Sequence, residues 1–264
     1  MSRKRKRVRV EPTVLKARQA LVTKSAKEES RKRTFQAKPG GQKDYVRSIV
    51  ESDITICSGM AGTGKTHVAI GMALQYLDRG DVDKIVVARP AIEAGETLGF
   101  LPGKLEDKLD PFMRPIYDEL EYFRSYSDIV EMKNRRVLEI CSIGHLRGRT
   151  IKNAFILLDE AQNATYEQLI MFLSRFGFGS KVIVAGDPTQ TDLDYRDSGG
   201  FEFICKLFAD DEDIGVINLG ESDMVRHPLI VKISNKIKDN IDIWKTTGKL
   251  NVEAQSRDKT WCEG

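Results

Sequence analysis

The sequence predicts an α/β fold: a single parallel sheet covered by helices. Three observations carry that expectation. Short β-rich apolar runs alternate with longer stretches of helical period, the pattern of a sheet whose crossovers are helices. A glycine-rich turn ending in Lys-Thr follows the first run directly. Acidic residues stand at the ends of two later runs, the edge at which a parallel sheet gathers its polar chemistry.

Residues 1–41 come first. They are charged, poor in aromatics and broken by Pro12, Pro39, Gly40 and Gly41, so they cannot bury enough surface to offset their ordering entropy. A flexible basic arm is expected there, with a transient helix near 14–23. Strands are expected at 54–58, 84–88, 137–141, 155–158, 181–185 and 215–219. Helical period marks 65–77, 105–123, 166–176, 200–207 and 228–240. One core domain over 42–244 and a polar tail over 245–264 complete the expected organisation.

Charge is divided unevenly along the chain. Residues 1–47 hold sixteen basic and four acidic residues and the remainder holds 26 and 35, so a head of +12 precedes a body of −9. No window approaches the ~18–20 uninterrupted apolar residues of a membrane span. No apolar segment follows the basic start, so a secretory leader is not expected either. The four cysteines, Cys57, Cys141, Cys205 and Cys262, lie far apart with no Cys-x-x-Cys, which argues against structural zinc or a disulfide framework. A reducing cytoplasm is the expected compartment. Three histidines leave little for histidine-rich metal catalysis.

The glycine turn is Gly59-Met60-Ala61-Gly62-Thr63-Gly64-Lys65-Thr66, in the required context of strand, loop and helix. Its glycines allow backbone N–H groups to turn inward around an anion, and the helix starting near Lys65 aims its positive end at phosphates. Lys65 is placed to reach the β- and γ-phosphates of a nucleotide, and the Thr66 hydroxyl to ligate Mg²⁺. A chance glycine turn at a strand–helix junction is the bland alternative.

Further along, Phe155-Ile156-Leu157-Leu158 ends in Asp159-Glu160-Ala161-Gln162. A strand that delivers acids at its carboxyl end brings them towards the phosphate loop. Asp159 is then the magnesium partner in the second shell or through water, and Glu160 the candidate base or water-orienting group. Two acids at a helix start also suit the helix dipole. The run 181–185 ends in Gly186-Asp187-Pro188-Thr189-Gln190, where Gln190 is a candidate γ-phosphate sensor organised by Asp187. By itself that tetrad reads as an ordinary turn.

Taken together the motifs resemble one family. Gly62-Thr63-Gly64-Lys65-Thr66, Arg89-Pro90-Ala91-Ile92-Glu93-Ala94-Gly95-Glu96, Gly99-Phe100-Leu101-Pro102-Gly103, Arg147-Gly148-Arg149-Thr150, Asp159-Glu160-Ala161-Gln162-Asn163, Gly186-Asp187 with Gln190, and Val225-Arg226-His227-Pro228 look like the PhoH family of phosphate-starvation-induced ATPases. The resemblance covers about residues 42–240. It implies a P-loop core like the first domain of superfamily one helicases, with ATP and Mg²⁺ as ligands. It also implies Gln42 as an adenine-reading glutamine and Arg226 as a γ-phosphate arginine. Met60 departs from the family, which usually has proline there; no phosphate ligand is lost by the change.

Two signals bear on partners. Arg3, Lys4, Arg5, Lys6 and Arg7 form a cluster of the kind that binds polyanions by counterion release. It equally suits a solvated tail. The resemblance implies that Arg89, Arg147 and Arg149 lie in loops close to the nucleotide site, where they could hold phosphates of RNA, single-stranded DNA or ATP; a salt bridge to Glu93 or Glu96 is the alternative for Arg89. Phe100, Phe112, Tyr117 and Tyr122 have the spacing of core residues more than of base-stacking ones. Three function classes follow: a nucleic-acid-coupled ATPase or helicase-like motor, a low-turnover switch, and a small-molecule phosphotransferase. Asp159-Glu160 favours water activation. One core domain cannot sandwich ATP between two, so a homo-oligomer is expected, a hexameric ring above others, with Arg226 acting in its own chain or in the next.

Overall fold

In a computed structural model the described residues are 33–38, 40–90, 105–194, 197–225, 229, 232, 233 and 236; residues 105–111 are described by backbone alone. Six strands form one sheet: β1 (Ile54–Gly59), β2 (Lys84–Arg89), β3 (Leu138–Ser142), β4 (Ala154–Leu158), β5 (Lys181–Gly186) and β6 (Ile214–Leu219). Their order is β3-β2-β4-β5-β1-β6, and every neighbouring pair is parallel. The expected strands are all present, each within a residue or two of its expected ends. None of the described helices is long and apolar enough to cross a membrane.

Helices α1 (Gly41–Glu51), α2 (Lys65–Arg79), α3 (Leu105–Phe123), α4 (Tyr126–Asn134), α5 (Tyr166–Leu173) and α6 (Gly200–Leu207) cover the sheet. Alternation along the strands supplies both apolar layers, as the period of two requires. Ile85, Val87, Phe155, Leu157, Ile183 and Ala185 pack with Tyr45 and Ile49 of α1, Val68 and Ile70 of α2, and Leu120 and Phe123 of α3. The intervening Val86, Ala88, Ile156, Leu158, Val182 and Val184 pack with Leu169 and Phe172 of α5 and Phe201 and Ile204 of α6. Helix, sheet and helix thus make three layers around two buried cores.

The sequence did not announce α1 or α4. The buried face of α1 is Gln42, Tyr45, Ser48 and Ile49, two of them polar, so its apolar period is weak. Helix α4 buries only Ile129 and owes its start to Ser125, whose hydroxyl accepts the Asp128 N–H at 3.2 Å. The stretch 166–176 stops being α-helix at Leu173.

Residues 33–38 form a strap over α2 and α3. The Arg33 N–H donates to the Phe123 carbonyl at 3.2 Å, and the Arg33 guanidinium lies 4.8 Å from the Tyr122 ring centroid. Phe35 is buried against Gly71 of α2, where a Cβ would stand 2.4 Å from its ring. Gln75 Nε2 donates to the Phe35 carbonyl at 3.1 Å. Residues 33–38 are thus packed, though composition assigned them to the arm over 1–41; a single aromatic anchor and a facing glycine are too small a signal for composition to register. The transient helix near 14–23, the helix at 228–240 and the tail at 245–264 lie outside the described residues or almost wholly so.

Candidate active site

Three loops lie at the carboxyl ends of β1, β4 and β5. In the first, Gly64 has φ 88°, a left-handed backbone that a Cβ would penalise, and it leads into α2 without giving that helix a side-chain cap. The first N–H groups of α2 are thus left for an anion. Buried Thr63 donates its hydroxyl to the Met60 carbonyl at 2.9 Å and closes the loop on itself. Lys65 Nζ donates to the carbonyls of Gly59 at 2.6 Å and Met60 at 3.1 Å, so the ammonium is held against the loop it is expected to serve.

The second loop follows β4. Thr66 Oγ1 donates to Asp159 Oδ1 at 2.7 Å, which brings the expected magnesium ligand and its expected acidic partner together. Burial pushes the Asp159 carboxyl up to about 6; Arg89 pulls against this, and the neighbouring Glu160 charge adds to it. Glu160 has φ 54°, a conformation costing ~1–2 kcal/mol for a residue with a Cβ. Its side chain is partly exposed, and both of its oxygens are engaged. Arg89 Nη2 lies 3.2 Å from Oε1, and Gln162 Nε2 donates to Oε2 at 2.6 Å.

The third loop follows β5, which lies between β1 and β4. Buried Asp187 reaches across to the phosphate loop and accepts the Ala61 N–H on Oδ2 at 2.9 Å. Its Oδ1 accepts the backbone N–H and the hydroxyl of Thr189 at 3.0 and 2.7 Å. The Asp187 N–H donates to Gln162 Oε1 at 2.9 Å. Gln190 is exposed beside it and donates its own N–H to the Asp187 carbonyl at 3.0 Å.

Gln42 sits on the far side of the phosphate loop. It is buried, donates from Nε2 to the Thr63 carbonyl at 3.0 Å, and accepts the Lys38 N–H on Oε1 at 3.0 Å. Helix α1, which carries it, is pinned by Asp223 after β6, whose carboxylate accepts the N–H groups of Gly41 at 2.8 Å and Gly220 at 3.0 Å.

The arginines divide. Arg89 is nearly buried: Nε is 3.2 Å from Asp159 Oδ2, and Nη1 donates to the Phe112 carbonyl at 2.5 Å. Its partners are the two site carboxylates, where the sequence reading offered nucleic acid, ATP phosphates or a salt bridge to Glu93 or Glu96. The register explains this, because Ala88 pairs with Leu158 and the next residues of both strands are Arg89 and Asp159. Arg149 makes a two-pronged ion pair with Glu139, Nη2 to Oε2 at 2.7 Å, which holds that carboxyl below its usual range. Its guanidinium is thereby committed within the chain. Arg147 is exposed after the turn Ile143–Leu146. Arg3, Lys4, Arg5, Lys6, Arg7, Glu93, Glu96, Phe100 and Arg226 lie outside the described residues.

Sequence reading passed over Gln162, quoted within a motif and given no task, and over Asp223. A glutamine two residues past the candidate Glu160 is a usable signal; Asp223 offers none before β6 is placed beside β1. The donor set fits a nucleotide with magnesium. A hydroxyl and a carboxylate oxygen stand together for a hard cation, and an ammonium and uncapped N–H groups stand together for phosphates.

Comparison with known proteins gives the family. The family model described as PhoH-like protein matches residues 34–238. The PhoH-like protein of Synechocystis sp. PCC 6803 is 46% identical over 197 residues, 75% of this chain and 60% of that protein. The PhoH-like protein of Bacillus subtilis strain 168 is 42% identical over 212 residues, 80% of this chain and 65% of that one. Protein PhoH of Escherichia coli K12 is 38% identical over 195 residues, covering 73% and 55%. The chain thus spans less than two thirds of the length of these relatives.

Among solved structures, the large terminase of a thermophilic bacteriophage matches at 15% identity and a TM-score of 0.45, over 71% of this chain and 45% of that one. Pif1 helicase from Candida albicans matches at 16% and 0.38, over 78% and 44%. Such scores are too low to carry function across. The family model and the curated relatives do show the family: the chain is an α/β protein with a phosphate-loop motif, and it belongs to the PhoH-like protein family.

Proposed function

We propose that this chain hydrolyses ATP with Mg²⁺ and couples that reaction to RNA or single-stranded DNA. The observation that carries the proposal is the 2.7 Å contact of Thr66 Oγ1 with Asp159 Oδ1, with Glu160 next in the chain. Thr66 and Asp159 would hold the cation, which when bound offsets phosphate charge. Lys65 and the α2 N–H groups hold the β- and γ-phosphates. Gln42, whose amide is held here by Thr63 and Lys38, would read the base. Glu160 takes a proton from the water that attacks the γ-phosphorus, and Gln190 and Arg226 complete the surroundings of that phosphate.

For Glu160 to act, the oxygen now facing Arg89 must be released to water. This restraint supports a second reading, a nucleotide-dependent switch of low turnover. Phosphoryl transfer to a small molecule is the least supported of the three classes. The basic head supports a polyanionic partner. We further propose a head-to-tail homo-oligomer, a hexameric ring above others, in the cytoplasm.

The test is steady-state ATP turnover by the full chain, with and without single-stranded RNA and DNA. Lys65→Ala should lose nucleotide binding, and Glu160→Gln should bind and not hydrolyse. Turnover that ignores nucleic acid would remove the coupling; turnover retained in Glu160→Gln would remove that residue from the reaction.

A further inference from the structure

Among the described residues, Gln162 joins the end of β4 to the end of β5 through its side chain. It lies on the short turn Ala161–Asn163 and is buried at 4% exposure. A primary amide has one donor group and one acceptor, and here each has a separate partner. Nε2 donates to Glu160 Oε2 at 2.6 Å, and Oε1 accepts the Asp187 N–H at 2.9 Å. The Gln162 carbonyl is also used, accepting from the Thr191 hydroxyl at 3.1 Å. Gly186 leaves the room for this, since a Cβ there would stand 2.9 Å from Gln162 Oε1.

These bonds continue into the phosphate loop. Asp187 accepts the Ala61 N–H, so an unbroken path runs from that loop through Asp187 and Gln162 to the Glu160 carboxylate. Arg89 holds the other Glu160 oxygen. The two contacts differ in kind. Arg89 also serves Asp159 and Phe112, whereas the Gln162 amide has a fixed orientation, because flipping it would set an N–H₂ group against the Asp187 N–H. When Oε1 is released to water, Gln162 is the contact left to aim the carboxylate.

We propose that Gln162 is a positioning residue for ATP hydrolysis, holding Glu160 in its working orientation and tying that orientation to the phosphate loop through Asp187. The inference rests on the reading of Glu160 as the residue that engages the attacking water. A carboxylate misplaced by ~1 Å costs on the order of a hundredfold in rate, so the contact need not touch substrate to matter.

Two variants of the full chain separate aiming from mere support. Gln162→Glu keeps an acceptor for the Asp187 N–H and replaces the donor with an oxygen that repels Glu160. Gln162→Met keeps the volume and loses both bonds. For Gln162→Glu we expect kcat to fall roughly 10–100-fold, with nucleotide affinity, titrated with a fluorescent ATP analogue, within about threefold of the unaltered chain. Gln162→Met should lose kcat similarly and also melt earlier, because the Asp187 N–H is stranded. If Gln162→Glu does not fold, the kcat and affinity of Gln162→Met carry the same test.

A support-only role predicts that Gln162→Glu turns over normally, which would overturn the proposal and leave the ATPase reading intact. Loss of nucleotide affinity in place of kcat would overturn it as well. An unaltered chain without turnover, or a Glu160→Gln variant that retains it, would bring down the reading itself and the proposal with it.

Discussion

Arg89 and Asp159 form a buried ion pair, Nε to Oδ2 at 3.2 Å, at the ends of the adjacent strands β2 and β4. The same guanidinium reaches Glu160, so one cation compensates two neighbouring acids. Removing it strands a carboxylate in the interior. Arg89→Ala should destabilise the protein by about 3 kcal/mol, read from urea unfolding without added nucleotide. A loss below about half a kcal/mol would show that water or another cation does the compensating.

Asp159 also makes stability depend on pH. Its folded-state value of about 6 lies above the ordinary 3.8, burial being the main cause. A carboxyl raised in this way contributes stability that is fully present below about pH 4 and lost as the pH rises through about 6. Asp159→Asn, with Arg89 still held by Glu160 and the Phe112 carbonyl, should therefore be more stable than the unaltered chain at about pH 7.5, by up to roughly 2–3 kcal/mol. The difference should vanish near pH 4, where the carboxyl is protonated in both states. Denaturation curves without magnesium or nucleotide measure it, and a pH-independent difference would assign the effect to packing.

The contact of Phe35 with Gly71 predicts a reciprocal pair of variants. Gly71→Ala places a methyl group 2.4 Å from the ring and should cost ~1–3 kcal/mol by overpacking. Phe35→Ala should cost ~3–5 kcal/mol by emptying the same site. Combined, the two should cost less than their sum, because the methyl then meets no ring. Strict additivity in the melting data would mean that the strap is not seated on α2.

Deleting residues 2–32 removes twelve basic and three acidic residues and spares the Arg33 contacts. Affinity for single-stranded nucleic acid should fall, and its dependence on salt should flatten, while the melting temperature stays within a degree or two. Equal affinities and salt slopes before and after the cut would assign the arm to another task.

The proposed assembly predicts complementation. Arg226→Ala and Lys65→Ala subunits, each inactive alone, should regain turnover when mixed if the arginine acts on a neighbour's nucleotide. Light scattering on the unaltered chain supplies the control. A monomer with full activity at the assay concentration would refute the ring.

Strands were legible because each is an apolar run with β-branched residues, and a parallel sheet buries both faces of such runs. The phosphate loop, Asp159 and Glu160 were legible because their chemistry is local: a few neighbouring residues specify each of them. Gln162 and Arg89 were harder. Their tasks depend on which strand lies beside which, and the sequence does not print the order β2-β4-β5-β1. Helix α1 was hidden by the polarity of its buried face, since the residues it buries include Gln42 and Ser48, which read as solvent-facing. Residues 33–38 were hidden by adjacency to a basic stretch whose composition dominated the average.

The strand order has a consequence for how the chain is made. Ile54 at the start of β1 pairs with Val182 and with Ile214, and neither partner strand exists until most of the chain has been synthesised. The strand that carries the phosphate loop emerges from the ribosome first of the six and is laid into the sheet among the last. Loop closures of this span are slow, and they leave an apolar strand unpaired meanwhile. A ligand that recognises only the finished loop cannot assist until that step is over, so the interval between emergence of β1 and arrival of β5 is when a nascent chain of this fold is most exposed to misassembly.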